Sequence, residues 1–354
     1  MKKNIFYSLI LAGMALSLTS CSEDDLSSTS VITGTATAVN HSSTPLDKWL
    51  KANLLDPYNI EVKYRYEYNE TDDSYYTIPA KYEQAIEMAH IIKYSCVEAY
   101  NEVAGVDFTR RYFPKMFFLI GEWQYRNNGS FELGTAEGGK KINLMGVNYI
   151  DDYKTSIETL NTYYLKTVHH EFTHILNQTT DYSANFQMIT SSGYVSDKCF
   201  DDPYNTGYLT RGFISAYSQT SHAEDFAEML SEYVTNTEEQ WNKWMNMKHW
   251  YVTEINPITK ETIGNEQYYG DETGNISYKL NDEFSTGSGT SAKTYRVTSI
   301  KTTDKDKLDA KLDIVRDYMQ KTFNIDIDKL RETVLRREQD IVDGKISLTD
   351  VTVK

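Results

Sequence analysis

Apolar residues recur at three- and four-residue intervals along much of the chain, the spacing of helices that bury one face. Leu46, Trp49, Leu50 and Leu54 predict a helix over Pro45–Leu55, and Ile86, Ala89, His90 and Lys93 mark the turns of another over Tyr82–Tyr100. Leu160, Tyr164, Val168, Phe172, Ile175 and Leu176 place a third helix in the middle of the chain. Phe226, Met229, Leu230 and Val234 form the stripe of a fourth, over Ser221–Val234. Leu308, Leu312, Val315 and Met319 predict a helix over Asp306–Phe323, and Asp328–Glu338 reads as the last one. Strict alternation at Ile60, Val62, Tyr64, Tyr66 and Tyr68 predicts a strand. Met116–Ile120 and, after Gly138-Gly139, Lys140–Ile150 read as two more. Trp241, Trp244 and Trp250 are expected to form one aromatic cluster. Residues 251–300 are polar and rich in Gly, Ser and Thr, with short strands at Tyr251–Ile255 and Tyr295–Ile300, which suggests an insertion or a lid.

The central helix carries His170-Glu171-Phe172-Thr173-His174, the His-Glu-x-x-His pattern of zinc hydrolases. Residues four apart lie one above the other on a helix, so His170 and His174 can offer two imidazole nitrogens to one metal ion. Glu171, one step round, falls beside the metal, where a base for an attacking water belongs. Such a site needs a third protein ligand. The extended pattern that supplies it as a nearby histidine would put glycine at Asn177 and histidine at Thr180, so that arrangement is excluded. The helix over Ser221–Val234 offers Glu224 and Glu228 on one face. One can ligate while the other accepts the free N–H of a ligating histidine. Ser221-x-x-Glu224 is also a capping box, which would turn the Glu224 carboxylate back to the Ser221 amide and leave Glu228 as the ligand. Spacing alone leaves both assignments open. His222 reads as a first-turn surface residue and His90 as a packed one. His169 projects about 100° from His170 and is expected beside the site or in solvent.

His-Glu-Phe-x-His followed about fifty residues later by Glu224-Asp225-Phe226-Ala227-Glu228 resembles the gluzincin metallopeptidases, and within them the anthrax lethal factor type. It is more similar still to the zinc-binding metallopeptidase lipoproteins found with outer-membrane glycan-import systems. The resemblance rests on residues 140–235. It implies an α+β, zincin-like fold: a mixed sheet over an active-site helix, then a helical C-terminal part, with Lys140–Ile150 as the edge strand beside an extended peptide. It implies one Zn2+ per chain held by His170, His174 and Glu224, with Glu171 as general base and Glu228 behind a ligating histidine. Tyr217, seven residues before Glu224, would face the zinc and donate to the oxyanion of the tetrahedral intermediate. The implied activity is hydrolysis of peptide bonds in a peptide, protein or glycopeptide. The rival reading is a non-catalytic surface lipoprotein that binds glycan or peptide for an outer-membrane importer. Glu171 argues against it, because structural zinc needs no base.

The N-terminus bears on where this chemistry would take place. Lys2 and Lys3 precede an apolar stretch, Ile5–Leu18, that is short for a membrane span. It ends in Leu18-Thr19-Ser20-Cys21, which looks like a bacterial lipobox. Residues 1–20 would then be a lipoprotein signal peptide and Cys21 the lipidated anchor. Ser22-Glu23-Asp24-Asp25 resembles an export tag for the outer face of the outer membrane. Residues 21–45 read as a flexible tether and 46–354 as the metallopeptidase domain. The chain carries a net charge of −15, and loss of Lys2 and Lys3 makes it −17. Nucleic acid is therefore excluded as a partner, since phosphate binding needs a basic patch. Apart from Cys21, the cysteines are Cys96 and Cys199, which could pair in an oxidising compartment. No Cys-x-x-Cys is present, so histidine and carboxylate must carry any metal site.

The anchor is testable directly. Cys21→Ser should release the protein from the membrane fraction or block its processing, and unchanged membrane association would exclude the lipobox.

Overall fold

In the computed structural model, residues 43–67, 75, 77–125, 131–137, 140–271 and 277–353 are described, with backbone alone at 136, 137 and 290. The expected signal peptide, Cys21, the acidic run and nearly all of the expected tether lie outside the described residues, as does Tyr68. Residues from Pro45 onwards form one unit. It opens with helix α1 (residues 45–58), whose middle, Lys51–Leu55, is a π turn. Strand β1 (Glu61–Lys63) follows. It is shorter than its alternation predicts because the next two residues turn to α1: the Tyr64 hydroxyl and the Arg65 guanidinium both donate to the Asp47 carboxylate. Helix α2 (residues 82–104) also contains a π turn, Ile92–Val97, and is followed by α3 (Val106–Tyr112).

The first sheet is small and mixed. Strand β2 (Met116–Leu119) pairs in parallel with β1. After the hairpin β3 (Gln124–Tyr125) and β4 (Phe131–Glu132), β5 (Gly134–Glu137) runs antiparallel to β6 (Lys141–Leu144), which is itself parallel to β2. The order is β1-β2-β6-β5. The strand expected over Lys140–Ile150 is therefore four residues long and lies inside the sheet, and the edge belongs to β5. Gly146, at φ +68°, ends β6 and turns the chain into short helices. The edge strand packs against helix α4 (residues 157–179), and Gly134 makes this approach possible. A Cβ there would stand 2.5 Å from Thr167 Cγ2 and 2.7 Å from the Asn143 carbonyl oxygen.

Helix α4 bears the His-Glu-x-x-His motif and has a third π turn, Asn161–Leu165, just before it. Helices α5 (His222–Thr235) and α6 (Glu238–Met245) follow. A second, antiparallel sheet of order β8-β7-β10-β9 follows: β7 (Lys248–Ile255), β8 (Thr262–Asp271), β9 (Glu283–Thr286) and β10 (Lys293–Thr302). It has a small core of its own, Trp250, Val252 and Val297. The single tryptophan cluster expected from sequence is thus divided. Trp241 packs on Tyr233 and Trp244, whereas strand alternation turns Trp250 onto the second sheet, its indole N–H bonded to the Tyr278 carbonyl. Helices α7 (Lys305–Phe323) and α8 (Ile327–Val342) pack against α5 and close the unit. Among the described residues no helix is long and apolar enough to cross a membrane.

One buried group makes the packing of α8 pH-dependent. Asn161, at the π turn of α4, donates to the Thr235 carbonyl and to Glu338 on α8. Burial holds the Glu338 carboxyl well above its ordinary value of 4.5, outweighing the hydrogen bond from Asn161, which lowers it. The native state thus keeps a proton that the unfolded chain releases, so this stabilising contribution is complete below the unfolded value and is lost as pH rises above it. Urea titrations from about pH 5 to pH 8 should show stability falling more steeply in the wild type than in Glu338→Gln, whose amide stays neutral. Parallel profiles would contradict a protonated Glu338.

Candidate metal centre

Phe172 sets the orientation of the motif. Its ring is fully buried, edge-on to Tyr100 at 4.9 Å and 4.8 Å from Phe113. Phe→Ala at such a site costs about 3–5 kcal/mol, so this ring holds the helix against rotation. With that face committed, His170 and His174 turn to the opposite side, towards α5. Their Nε2 atoms lie 3.1 Å apart, and Glu224 Oε2 stands 3.0 Å from the first and 3.2 Å from the second. Tetrahedral zinc with bonds of about 2.0–2.2 Å would hold such donors about 3.3–3.6 Å apart. The three atoms converge to within a few tenths of an ångström of that spacing, and two imidazoles with a carboxylate suit zinc chemically. The residues present therefore fit a zinc ion.

Both halves of the Ser221–Glu224 question are visible. Ser221 Oγ does cap α5, accepting from the Glu224 amide at 3.3 Å, while Glu224 Oε2 turns to the histidines. Glu228, one turn further along, is 3% exposed. Its Oε1 stands 2.9 Å from His170 Nδ1, on the ring edge away from the convergence point, though out of line for a hydrogen bond. Its Oε2 accepts from Lys166 Nζ at 3.0 Å and from Ser215 Oγ at 2.6 Å. Lys166 and Ser215 are the residues that sequence reasoning missed. Lys166 lies four residues before His170 on the same helical face, which is a readable signal. Ser215 lies in an irregular loop and gives none.

Tyr217 also reaches the site. Its ring centroid is 5.9 Å from that of His170, and Phe200, 57% exposed, stacks on its other side at 6.0 Å and 18°. Glu171 follows His170 on α4, half-buried. His169 is not beside the site or in solvent: it is buried in the core, with Tyr100 OH 3.1 Å from Nδ1. Its step of one residue round the helix carries it to the Phe172 side. His222 is exposed in the first turn of α5 and accepts from Tyr182 OH, and His90 stacks on Trp49. Cys96 and Cys199 are both buried and unpaired.

These features occur on a chain whose residues 39–328 match one family model. The chain belongs to the family described as "Putative zinc-binding metallo-peptidase". A crystal structure of a putative zinc-binding metallo-peptidase from Bacteroides caccae ATCC 43185 is similar throughout: TM-score 0.62 and 29% identity, covering 87% of this chain and 96% of that one. No curated protein matches the chain.

The carboxylates govern the site's electrostatics. Burial disfavours a charged His170, but the hydrogen bond to Glu224 and the nearby carboxylate of Glu228, with the charge of Glu171, raise it to about 10. Burial would raise Glu224, yet the two histidines pull it down to about 2. Glu228 is likewise depressed despite its burial, chiefly by the charge of Lys166. Burial, followed by the charges of Glu224, Glu171 and Glu228, pushes the Tyr217 hydroxyl well above its ordinary value, so it keeps its proton and can donate. His169, without a carboxylate, is pushed down by burial to about 4 and is neutral.

Purified protein should bind about one zinc per chain, removable by a chelator and abolished by His174→Ala. Glu224→Ala should weaken affinity far more than Glu228→Ala, because losing a group behind a ligand costs about 10- to 100-fold. The reverse order, measured by competition with a chromogenic chelator, would make Glu228 the ligand.

Proposed function

We propose that this protein is a zinc-dependent metallopeptidase of gluzincin type and zincin-like fold, in which His170, His174 and Glu224 hold the metal and Glu171 is the general base. The observation that carries the reading is the convergence of three donor atoms, two imidazole nitrogens and one carboxylate oxygen, within 3.2 Å of one another, with a further carboxylate, Glu171, next to His170 in the chain and not among them. When bound, zinc would supply Lewis acidity, bringing the pKa of water to about 7 and polarising the scissile carbonyl.

The chain's own groups do the rest. Glu171 accepts the proton of the attacking water and returns it to the leaving amine. Tyr217 donates a hydrogen bond to the carbonyl oxygen as it gains charge. Glu228, fixed by Lys166 and Ser215, orients the His170 ring and favours the tautomer that leaves Nε2 free to ligate. Edge strand β5, against α4, offers backbone groups along which an extended peptide can lie. With Cys21 as the lipid anchor, the reaction would take place at the cell surface, on peptide, protein or glycopeptide substrates, next to an outer-membrane importer.

Glu171→Gln is the deciding variant. The amide is nearly isosteric but cannot take the proton, so kcat on a broad peptide set should fall by about 10²- to 10⁴-fold while zinc stays bound. Tyr217→Phe should raise the barrier by about 2.7–4 kcal/mol without loss of zinc. Zinc-loaded wild type with no turnover on any peptide would instead favour a binding protein.

A further inference from the structure

A cleft of 530 Å³ opens where the end of α4 meets the start of α5, with the ligand candidate His174 in its wall. Asn177, Gln178, Asp181, Tyr182 and Gln187 line it with His174. Asn177 lies three residues beyond His174 and shares its helical face. Both Asn177 amide atoms, Oδ1 and Nδ2, are enclosed and have no hydrogen-bond partner among the described residues. Enclosed amides are normally satisfied, so this one is poised to rearrange onto a polar guest. Asp181 has no ion pair or hydrogen bond among the described residues, and no lysine or arginine lines the cleft. On α5, the carboxylates near the candidate metal centre are held: Glu224 by the histidines, Asp225 by Lys311, and Glu228 by Lys166.

The remaining walls suit a long side chain with a cationic tip. Tyr182 stacks on Phe226 at 4.0 Å and directs its hydroxyl to His222 Nδ1, which leaves its ring as an apolar surface for methylenes. Beyond it stand one free carboxylate and the amide groups of Asn177, Gln178 and Gln187. An acidic guest would meet Asp181 with like charge. An apolar guest would leave these groups unsatisfied, the situation in which a polar pocket discriminates most strongly.

We infer that this cleft is the subsite for a lysine or arginine side chain of the peptide substrate, close to the bond that is cut, with Asp181 receiving the cation. The inference rests on the peptidase reading above and adds a substrate class to it.

Matched peptides that differ only by lysine or norleucine at each position around the cleavage point provide the test. Wild type should favour the lysine peptide in kcat/KM at one position by about tenfold or more, as expected for a charge-assisted contact. Asp181→Asn should bring the ratio close to one, and Asp181→Lys should invert it in favour of a glutamate peptide. Zinc content and thermal unfolding identify variants that have failed to fold, and Asn177→Asp then serves as a second probe that should raise the lysine preference. If wild type cuts both peptides equally, or Asp181→Asn keeps the ratio, the subsite assignment falls and the peptidase reading stands. If wild type cuts neither, the peptidase reading falls. Fluorescence anisotropy of the labelled lysine and norleucine peptides on zinc-loaded protein then decides the cleft: an Asp181-dependent preference supports it, and equal binding overturns it.

Discussion

The candidate metal centre depends on carboxylates that the fold buries without leaving them unpaired. A carboxylate removed from water is expensive unless a partner and further hydrogen bonds compensate for lost hydration. Glu228 receives Lys166, Ser215 and the proximity of the His170 ring. Asp225, on the next face of α5, is wholly buried against Lys311 of α7, 2.5 Å away, and also accepts from Tyr194. Burial pushes Asp225 up, to about 6, and Lys311 down, opposed in each by the partner's charge. Removing one member of such a pair strands the other, at a cost of about 3–5 kcal/mol. Glu224 is therefore followed on α5 by two anchored residues, Glu228 locked to α4 and Asp225 locked to α7. Its carboxylate is placed by the helix as a whole, not by its own flexible side chain.

The same arrangement separates rigidity from recognition. The face of α4 that carries Phe172 is enclosed by aromatic rings from α2 and α3 and the segment after them: Tyr100, Phe108 and Phe113. The face that carries the histidines is bounded by the short helices and turns between α4 and α5, where Phe200 and Tyr217 remain partly exposed. Helices hold the candidate ligands and the connecting chain forms the walls, the usual division between rigid scaffold and variable surface.

Much of this was legible in the sequence, because the strongest signals are local. The histidine pair, the carboxylates four apart and the stripes of α4, α5 and α7 are all written in consecutive residues. What escaped depends on contacts that periodicity cannot express. The edge strand Gly134–Glu137 has a glycine where strand formers are expected, for a reason that lies in Thr167 and Asn143. β8 is exposed along most of its length and shows no hydrophobic alternation, so its pairing with β7 could not be anticipated. His169 was misplaced because one helical step can lead to solvent, site or core, and only tertiary packing decides which.

The π turns explain a regularity in the stripes themselves. In an uninterrupted α-helix every four-residue step overshoots a full turn by about 40°, so three such steps leave the last residue about 120° from the first. A π turn takes up one extra residue, which removes about 100° and brings the row back to within about 20° of straight. Leu160, Tyr164, Val168 and Phe172 are spaced in this way across Asn161–Leu165, and all are fully buried. Met88, Ile92, Cys96 and Tyr100 repeat the pattern across Ile92–Val97, as do Leu46, Leu50 and Leu54 across Lys51–Leu55. A run of apolar residues at strict intervals of four, longer than an α-helix can keep on one side, thus encodes a wide turn. In α4 that turn sets the phase of the histidines: without its extra residue, they would be rotated about a quarter-turn or more from Glu224 when the upstream stripe is in place.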